Sequence, residues 1–188
     1  MGLDMYLEAD VTRRDRDPRA QAVFAAIDAH YPRHQVKMID LCDYRGLTPA
    51  AEAVRDAIAE QFGVIDTDNK WIGARFNSSR VTLPLGYWRK ANQLHRWFVE
   101  ETQDGIDECQ RTEVTREKLF ELRRLLKSVL ANRDTAAEAL PAQEGFFFGG
   151  TDYDEYYFAD LEHTLAVLDR ICDKGLTEKA TIHYQASW

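Results

Sequence analysis

Apolar and polar residues alternate from the first positions of the chain: Leu3, Met5, Leu7 and Ala9 interleave with Asp4, Tyr6, Glu8 and Asp10. A period of two predicts a strand over residues 2–11 with one face turned to a core. The period then lengthens. Asp17 followed by Pro18 is a helix entry, and Ala20, Val23, Phe24, Ile27 and Tyr31 recur at helical spacing until Pro32 stops them. Thr48 and Pro49 repeat that entry, with Val54, Ala57, Ile58 and Phe62 on one face of a second helix. Between and after these helices, QVKMIDL (35–41) and KWIGARF (70–76) read as short strands. The rhythm over residues 85–103 predicts a third helix, closed by a turn at Asp104–Gly105. Thr115 caps a fourth helix reaching about Asn132, with Leu119, Leu122, Leu126, Val129 and Leu130 on its apolar face.

A looser connection containing Pro141 covers residues 134–145. GFFFGGTDYDEYY (145–157) then reads as a short apolar strand or buried turn entering a helix that ends near Gly175. TIHYQASW closes the chain as a strand. Together these elements predict an α+β fold: a small sheet including the N- and C-terminal strands, packed against several α-helices. At 188 residues, a single domain is expected.

Composition narrows the chemistry. No run of about 18 apolar residues predicts a membrane span, and MGLDMYLEAD has neither a basic leader nor an apolar signal region. Tyr6 stands where a myristoylation motif starting at Gly2 needs Ser or Thr. Cys42, Cys109 and Cys172 are odd in number and widely spaced, which fits a reducing cytoplasm and no disulfide framework. The net charge of −8 argues against general nucleic-acid binding. Charge is also uneven: residues 115–133 carry six Lys or Arg against two Glu, and residues 144–173 carry one Arg against eight Asp or Glu. These stretches are expected to face each other within the fold.

Two segments concentrate candidate chemistry. On a continuous helix, Tyr87, Ala91, Leu94 and Phe98 would face the core in GYWRKANQLHRWFV (86–99), beside a stripe of Trp88, Asn92 and His95. Arg89, Gln93 and Arg96 would form a wetter stripe, with Lys90 adding a further cation. Aromatic rings beside amides and cations stack a planar ligand and hold an anionic group. The competing reading is core packing. In GFFFGGTDYDEYY, Phe147, Tyr153 and Tyr156 suit a ligand or an interface, a homo-oligomeric one included. Asp152, Asp154 and Glu155 offer oxygen ligands for Mg²⁺, although acids at a helix start are more often caps.

Other motifs fail. DTDNKW (66–71) starts like a calcium loop, but Lys70 and Trp71 break the pattern, and Pro32 prevents His30 and His34 from aligning on a helix. The chain has no Walker loop, GxGxxG, GxSxG or HExxH.

MGLDMYL, GYWRKANQLHRWFV, QDGIDEC, GFFFGGTDYDEYYF and the terminal YQASW resemble blocks of a family of small proteins from bacteriophage and prophage genomes. Against its shorter members, residues 31–80 look like a variable insertion. The resemblance implies a phage-encoded accessory protein in the cytoplasm of a bacterial host, of the kind that sequesters a ligand or inhibits a defence protein. The first expectation is therefore a non-enzymatic binding protein for an anionic, nucleotide-like small molecule or a host defence protein. A second is a metal-dependent hydrolase or transferase, with His95 as acid or base and Asp152, Asp154 and Glu155 as metal ligands. A third is an anti-CRISPR nucleic-acid mimic using the acidic stretch.

Overall fold

The alternating N-terminus forms strand β1 (Asp4–Thr12) in a computed structural model that describes residues 2–32, 36–42, 46–63 and 73–188. Leu3, Met5, Leu7 and Ala9 are all fully buried, as a period of two requires. Helix α1 (Pro18–His30) begins where the Asp17 carboxylate accepts from the Arg19 amide. Strand β2 (Ile39–Asp40) follows, and α2 (Pro49–Phe62) begins where the Thr48 hydroxyl accepts from the Ala51 amide. Both helices carry proline in the first turn, where an amide hydrogen would find no helical partner. Of the two short strands expected here, Ile39–Asp40 and β3 (Arg75–Phe76) are realised. The 66–71 segment and His34 lie outside the described residues.

The next stretch departs from expectation. Residues 85–89 are not helical: they complete strand β4 (Arg80–Arg89), and helix α3 is confined to Asn92–Thr102. Pro84 lies beyond the two β4 residues that β3 pairs, Val81 and Thr82, so it withholds no bond from β3. The strand turns into the helix within two residues. Lys90 takes a left-handed φ of 64°, and Ala91 at φ −78°, ψ 69° forms an inverse γ-turn closed by Asn92 N donating to Lys90 O at 2.9 Å. No side chain caps α3.

Beyond the turn at Asp104–Gly105 come β5 (Thr112–Glu113), α4 (Arg116–Ala131), the short α5 (Ala136–Ala139), α6 (Glu155–Asp173) and β6 (Thr181–Ser187). Thr115 caps α4 through the Lys118 amide. The six strands form one sheet in the order β2-β3-β4-β1-β6-β5, so the N- and C-terminal strands are neighbours. The expected α+β class holds. Among the described residues no helix is long and apolar enough to cross a membrane.

Contacts divide the chain into two compact units. One comprises Glu8–Leu85 and Lys174–Thr181. Its α1 and α2 bury Val23, Phe24, Ile27, Val54, Ile58 and Phe62. Among the described residues of this unit two carboxylates are buried, and both are paired: Glu8 accepts from Arg75 at 2.7 Å, and Asp10 from the Thr82 hydroxyl at 2.7 Å. Such pairing offsets the cost of taking a carboxylate out of water.

The other unit comprises Met1–Leu7, Gly86–Asp173 and Ile182–Trp188. Its α3 is buried on almost every side, Asn92, Gln93 and His95 included. The oppositely charged stretches do meet here. Arg123 joins α4 to α6 through Asp169, and Arg133, just past the end of α4, reaches Glu155 at 3.2 Å and Glu162 at 3.3 Å.

Candidate ligand cleft

The abrupt join between β4 and α3 places Arg89, Lys90, Asn92 and Gln93 at one wall of a cleft of about 440 Å³. The facing wall is the Gly149–Gly150 loop and the first turns of α6: Asp152, Asp154, Tyr156, Tyr157, Ala159 and Asp160. The whole cleft belongs to one unit. Its volume falls within the range of small-molecule pockets.

The loop wall is held by backbone and by one amide. Leu3 donates to Phe147 O at 3.0 Å and accepts from Lys90 N at 2.8 Å, tying the loop and the strand–helix turn to the same residue. Asn92 Nδ2 donates to Phe148 O at 3.1 Å and Gly150 O at 2.7 Å, while Oδ1 accepts from Gln143 N at 2.9 Å. The side chain is thereby fully used as a strut. Gly149 needs its hydrogen: its φ is +92°, and a Cβ there would lie 3.1 Å from Lys90 Cβ. Gly145 is equally constrained, because a Cβ would meet the Phe148 ring at 2.6 Å. The three consecutive phenylalanines therefore form a turn. Phe148 is buried against His95, Phe146 stands 96% exposed, and Phe147 is intermediate.

The two walls differ in charge. Arg89 and Lys90 are exposed, and Arg89 makes only a long contact to Asp4, at 4.0 Å. Opposite them, Asp154 Oδ1 caps α6 by accepting from the Tyr156 and Tyr157 amides. Asp160, six residues further along the chain on α6, accepts weakly from Gln93 Nε2 at 3.4 Å. Burial pushes the Asp160 carboxyl up to about 6; the Gln93 contact opposes this rise and the Asp154 charge adds to it. Tyr156 is 83% exposed and presents a free ring face at the rim.

The raised Asp160 fixes the sign of a pH effect. Between the unfolded value near 3.8 and the folded value near 6, the unfolded state releases its proton first, so stability falls as pH rises through that window. With solvent screening of this partly exposed group, the loss is on the order of 1–2 kcal/mol. Asp160→Asn keeps an acceptor for Gln93 and removes the charge. It is expected to match wild-type stability at pH 4 and exceed it at pH 7.5, read as Tm against pH. Parallel Tm curves for the two proteins would contradict this.

Of the residues expected from sequence, the cleft gathers Arg89, Lys90, Asn92, Gln93, Asp152, Asp154 and Tyr156. It leaves out the others. Trp88, on the strand rather than a helical stripe, is 3% exposed and meets the edge of His163. His95 is fully buried, bonded through Nδ1 to the Tyr184 hydroxyl at 2.7 Å and through Nε2 to Asp107 at 2.9 Å. Arg96 bonds Glu100 at 2.8 Å. Phe147 packs edge-on against Phe146, and Tyr153 accepts from the Ala142 amide at 3.2 Å while packing on Tyr157.

Asp152, Asp154 and Glu155 do not converge as Mg²⁺ ligands: Asp154 is a cap, Glu155 pairs with Arg133, and Asp152 lines the cleft. Among the described residues no cluster of three His, Cys, Asp or Glu side chains is placed to hold a metal. Gly149 and Gly150 lie in the GFFFGGTDYDEYY segment singled out from the sequence, whereas Asp160 was missed. A helical period does carry a signal for Asp160, which follows Tyr156 by four residues on α6.

A larger cleft, about 540 Å³, lies in the other unit between Asp10–Pro18 and Thr177–Thr181. Its acids are committed within the protein. Asp10 bonds Thr82, Asp15 accepts from the Thr12 amide at 2.6 Å, and the Arg19 guanidinium holds Asp17 below the usual carboxylate range. Both clefts carry exposed cations, Arg16 and Lys179 in the larger one, but only the smaller adds an exposed aromatic ring, Tyr156, and it is the better candidate.

Comparison of the chain with protein-family models, with curated proteins and with solved structures gives no match.

Proposed function

We propose that the protein binds and sequesters an anionic, partly planar small molecule of nucleotide type in the cleft between the β4–α3 turn and the start of α6. The observation that carries this reading is the pairing, across one cleft, of two exposed cations with an exposed aromatic ring and a buried amide bonded to a half-buried carboxylate. Each part suits a different region of such a ligand. Arg89 and Lys90 match a phosphate, because charge-assisted bonds to an anion are the strongest that neutral-pH side chains offer. Tyr156 offers a face for a base to stack on. Gln93 and Asp160 supply a donor and an acceptor deep enough to read the edge of that base.

The elbow at Lys90 supports the same reading. A non-glycine residue in the left-handed region is costly, and such residues cluster where backbone positions a ligand contact. Lys90 is held there by Leu3 O and by the close approach of Gly149.

Titration calorimetry of the full chain with nucleoside monophosphates tests the proposal. Micromolar binding is expected. Arg89→Ala and Lys90→Ala should each weaken it at least tenfold, since a hydrogen bond to a charged group contributes about 1.5–3 kcal/mol. Both residues are exposed, so Tm should hardly move. Absence of binding at millimolar nucleotide, or unchanged affinity in both variants, would refute the reading.

A further inference from the structure

Building on the cleft reading above, we infer that the base it selects is guanine, with Asp160 and Gln93 as the residues that select it. The bases differ in their hydrogen-bonding edges. An ionised carboxylate accepts and cannot donate, and its two oxygens sit side by side. Of the four common bases, guanine alone presents two adjacent donors on its pairing edge, the ring N1–H and the exocyclic 2-amino group. Adenine and cytosine set a donor beside an acceptor, and uracil sets one donor between two acceptors. Any of these three would turn a lone pair toward Asp160.

Gln93 completes the match. Its Nε2 lies 3.4 Å from Asp160 Oδ2, so the amide stands beside the carboxylate and one of its hydrogens holds the acid in place. The second hydrogen is available to the guanine O6, which adjoins N1–H on the same edge. Gln93 is 3% exposed, so its amide is a fixed feature of the wall. The charge of the wall points the same way. Among the described residues no cation pairs with Asp160, whose neighbours are the Gln93 amide and the Asp154 charge. Two ligand N–H donors would supply the compensation that the protein itself does not. The reach is also sufficient: Arg89, Lys90, Tyr156 and Asp160 line the same 440 Å³ cleft, which accommodates a nucleoside monophosphate.

The test is a calorimetric panel of GMP, IMP, AMP, CMP and UMP on the full-length protein at pH 7.5, repeated with XMP on Asp160→Asn. GMP is expected to bind at least tenfold more tightly than AMP, CMP or UMP. IMP, which lacks only the 2-amino donor, should fall between tenfold and a hundredfold behind GMP. Asp160→Asn should lose at least tenfold for GMP and gain for XMP, whose 2-oxo group accepts from the new amide. Comparable affinity for all five nucleotides would overturn the guanine assignment and leave the anion-binding cleft standing. No binding by any of them would overturn the cleft reading itself. The IMP comparison uses unmodified protein, so the inference is decided even if the variant misfolds.

Discussion

Asn92→Asp is expected to release the 143–150 loop and destabilise the protein by about 3 kcal/mol, lowering Tm by roughly 6–12 °C for a chain of this length. The substitution is nearly isosteric, so volume contributes little. The loss comes from the donors. Asn92 is 2% exposed and directs both Nδ2 hydrogens at carbonyls, those of Phe148 and Gly150. A carboxylate in the same place donates nothing and puts negative charge against two carbonyl oxygens. Each buried group left without a partner costs about 1–3 kcal/mol. Only the bond from Gln143 N survives, because it needs an acceptor.

Amide exchange separates a local from a global effect. Phe148 N, bonded to Gly145 O, should lose protection in the variant, while α4 should exchange as in the wild type apart from the overall drop in stability. Nucleotide binding should fall with it, since Gly149 and Gly150 form one wall of the cleft. A variant with wild-type Tm and unchanged exchange at residues 143–150 would show that the loop is held by Leu3 alone.

The second large effect is at His95. His95→Leu is expected to cost about 3–4 kcal/mol, or about 10 °C in Tm, even though leucine is apolar and fits a buried site. The reason is the partner it abandons. Tyr184 is fully buried, its ring stacks on Phe98 at 4.0 Å, and its hydroxyl bonds to His95 Nδ1. Asp107 orients the imidazole from the other side, so Nε2 donates and Nδ1 accepts. Burial and the Asp107 charge both hold the Tyr184 phenol well above its ordinary range, so it stays a neutral donor throughout the working pH.

Removing the histidine strands that donor. Removing both partners does not. The double variant His95→Leu with Tyr184→Phe should therefore recover at least about 1 kcal/mol relative to the sum of the single changes. Strict additivity would mean that the two side chains are energetically independent despite their 2.7 Å contact.

What was legible in the sequence follows the strength of local signals. Asp17–Pro18, Thr48–Pro49 and Thr115 each put a capping oxygen or proline at a helix start, and each helix begins there. The alternation at Leu3, Met5, Leu7 and Ala9 and the strand-like TIHYQASW both became strands of one sheet. Such signals are short-range: the residues that cause them lie within a few positions of the structure they cause.

Residues 85–91 had no such signal. Apolar residues on β4 happen to continue the spacing of α3, and Ala91, which precedes α3, offers no side-chain cap, so nothing local marks the change from strand to helix. It is decided by Leu3 O receiving the Lys90 amide, a bond between residues far apart in sequence. That single change rotates Trp88 into the core and leaves Arg89 and Lys90 at the cleft.

The same distinction divides the candidate site. The sequence by itself determined which segments carry the polar and aromatic groups, because composition within 86–99 and 145–157 is a local property. Which of those groups share a cleft was decided by the tertiary structure, through contacts spanning more than fifty residues, such as Asn92 to Phe148 and Gln93 to Asp160. A histidine in a polar stripe reads as a ligand residue until packing surrounds it with Tyr184, Asp107 and Phe148. An aspartate in mid-helix reads as solvated until tertiary packing removes part of its water.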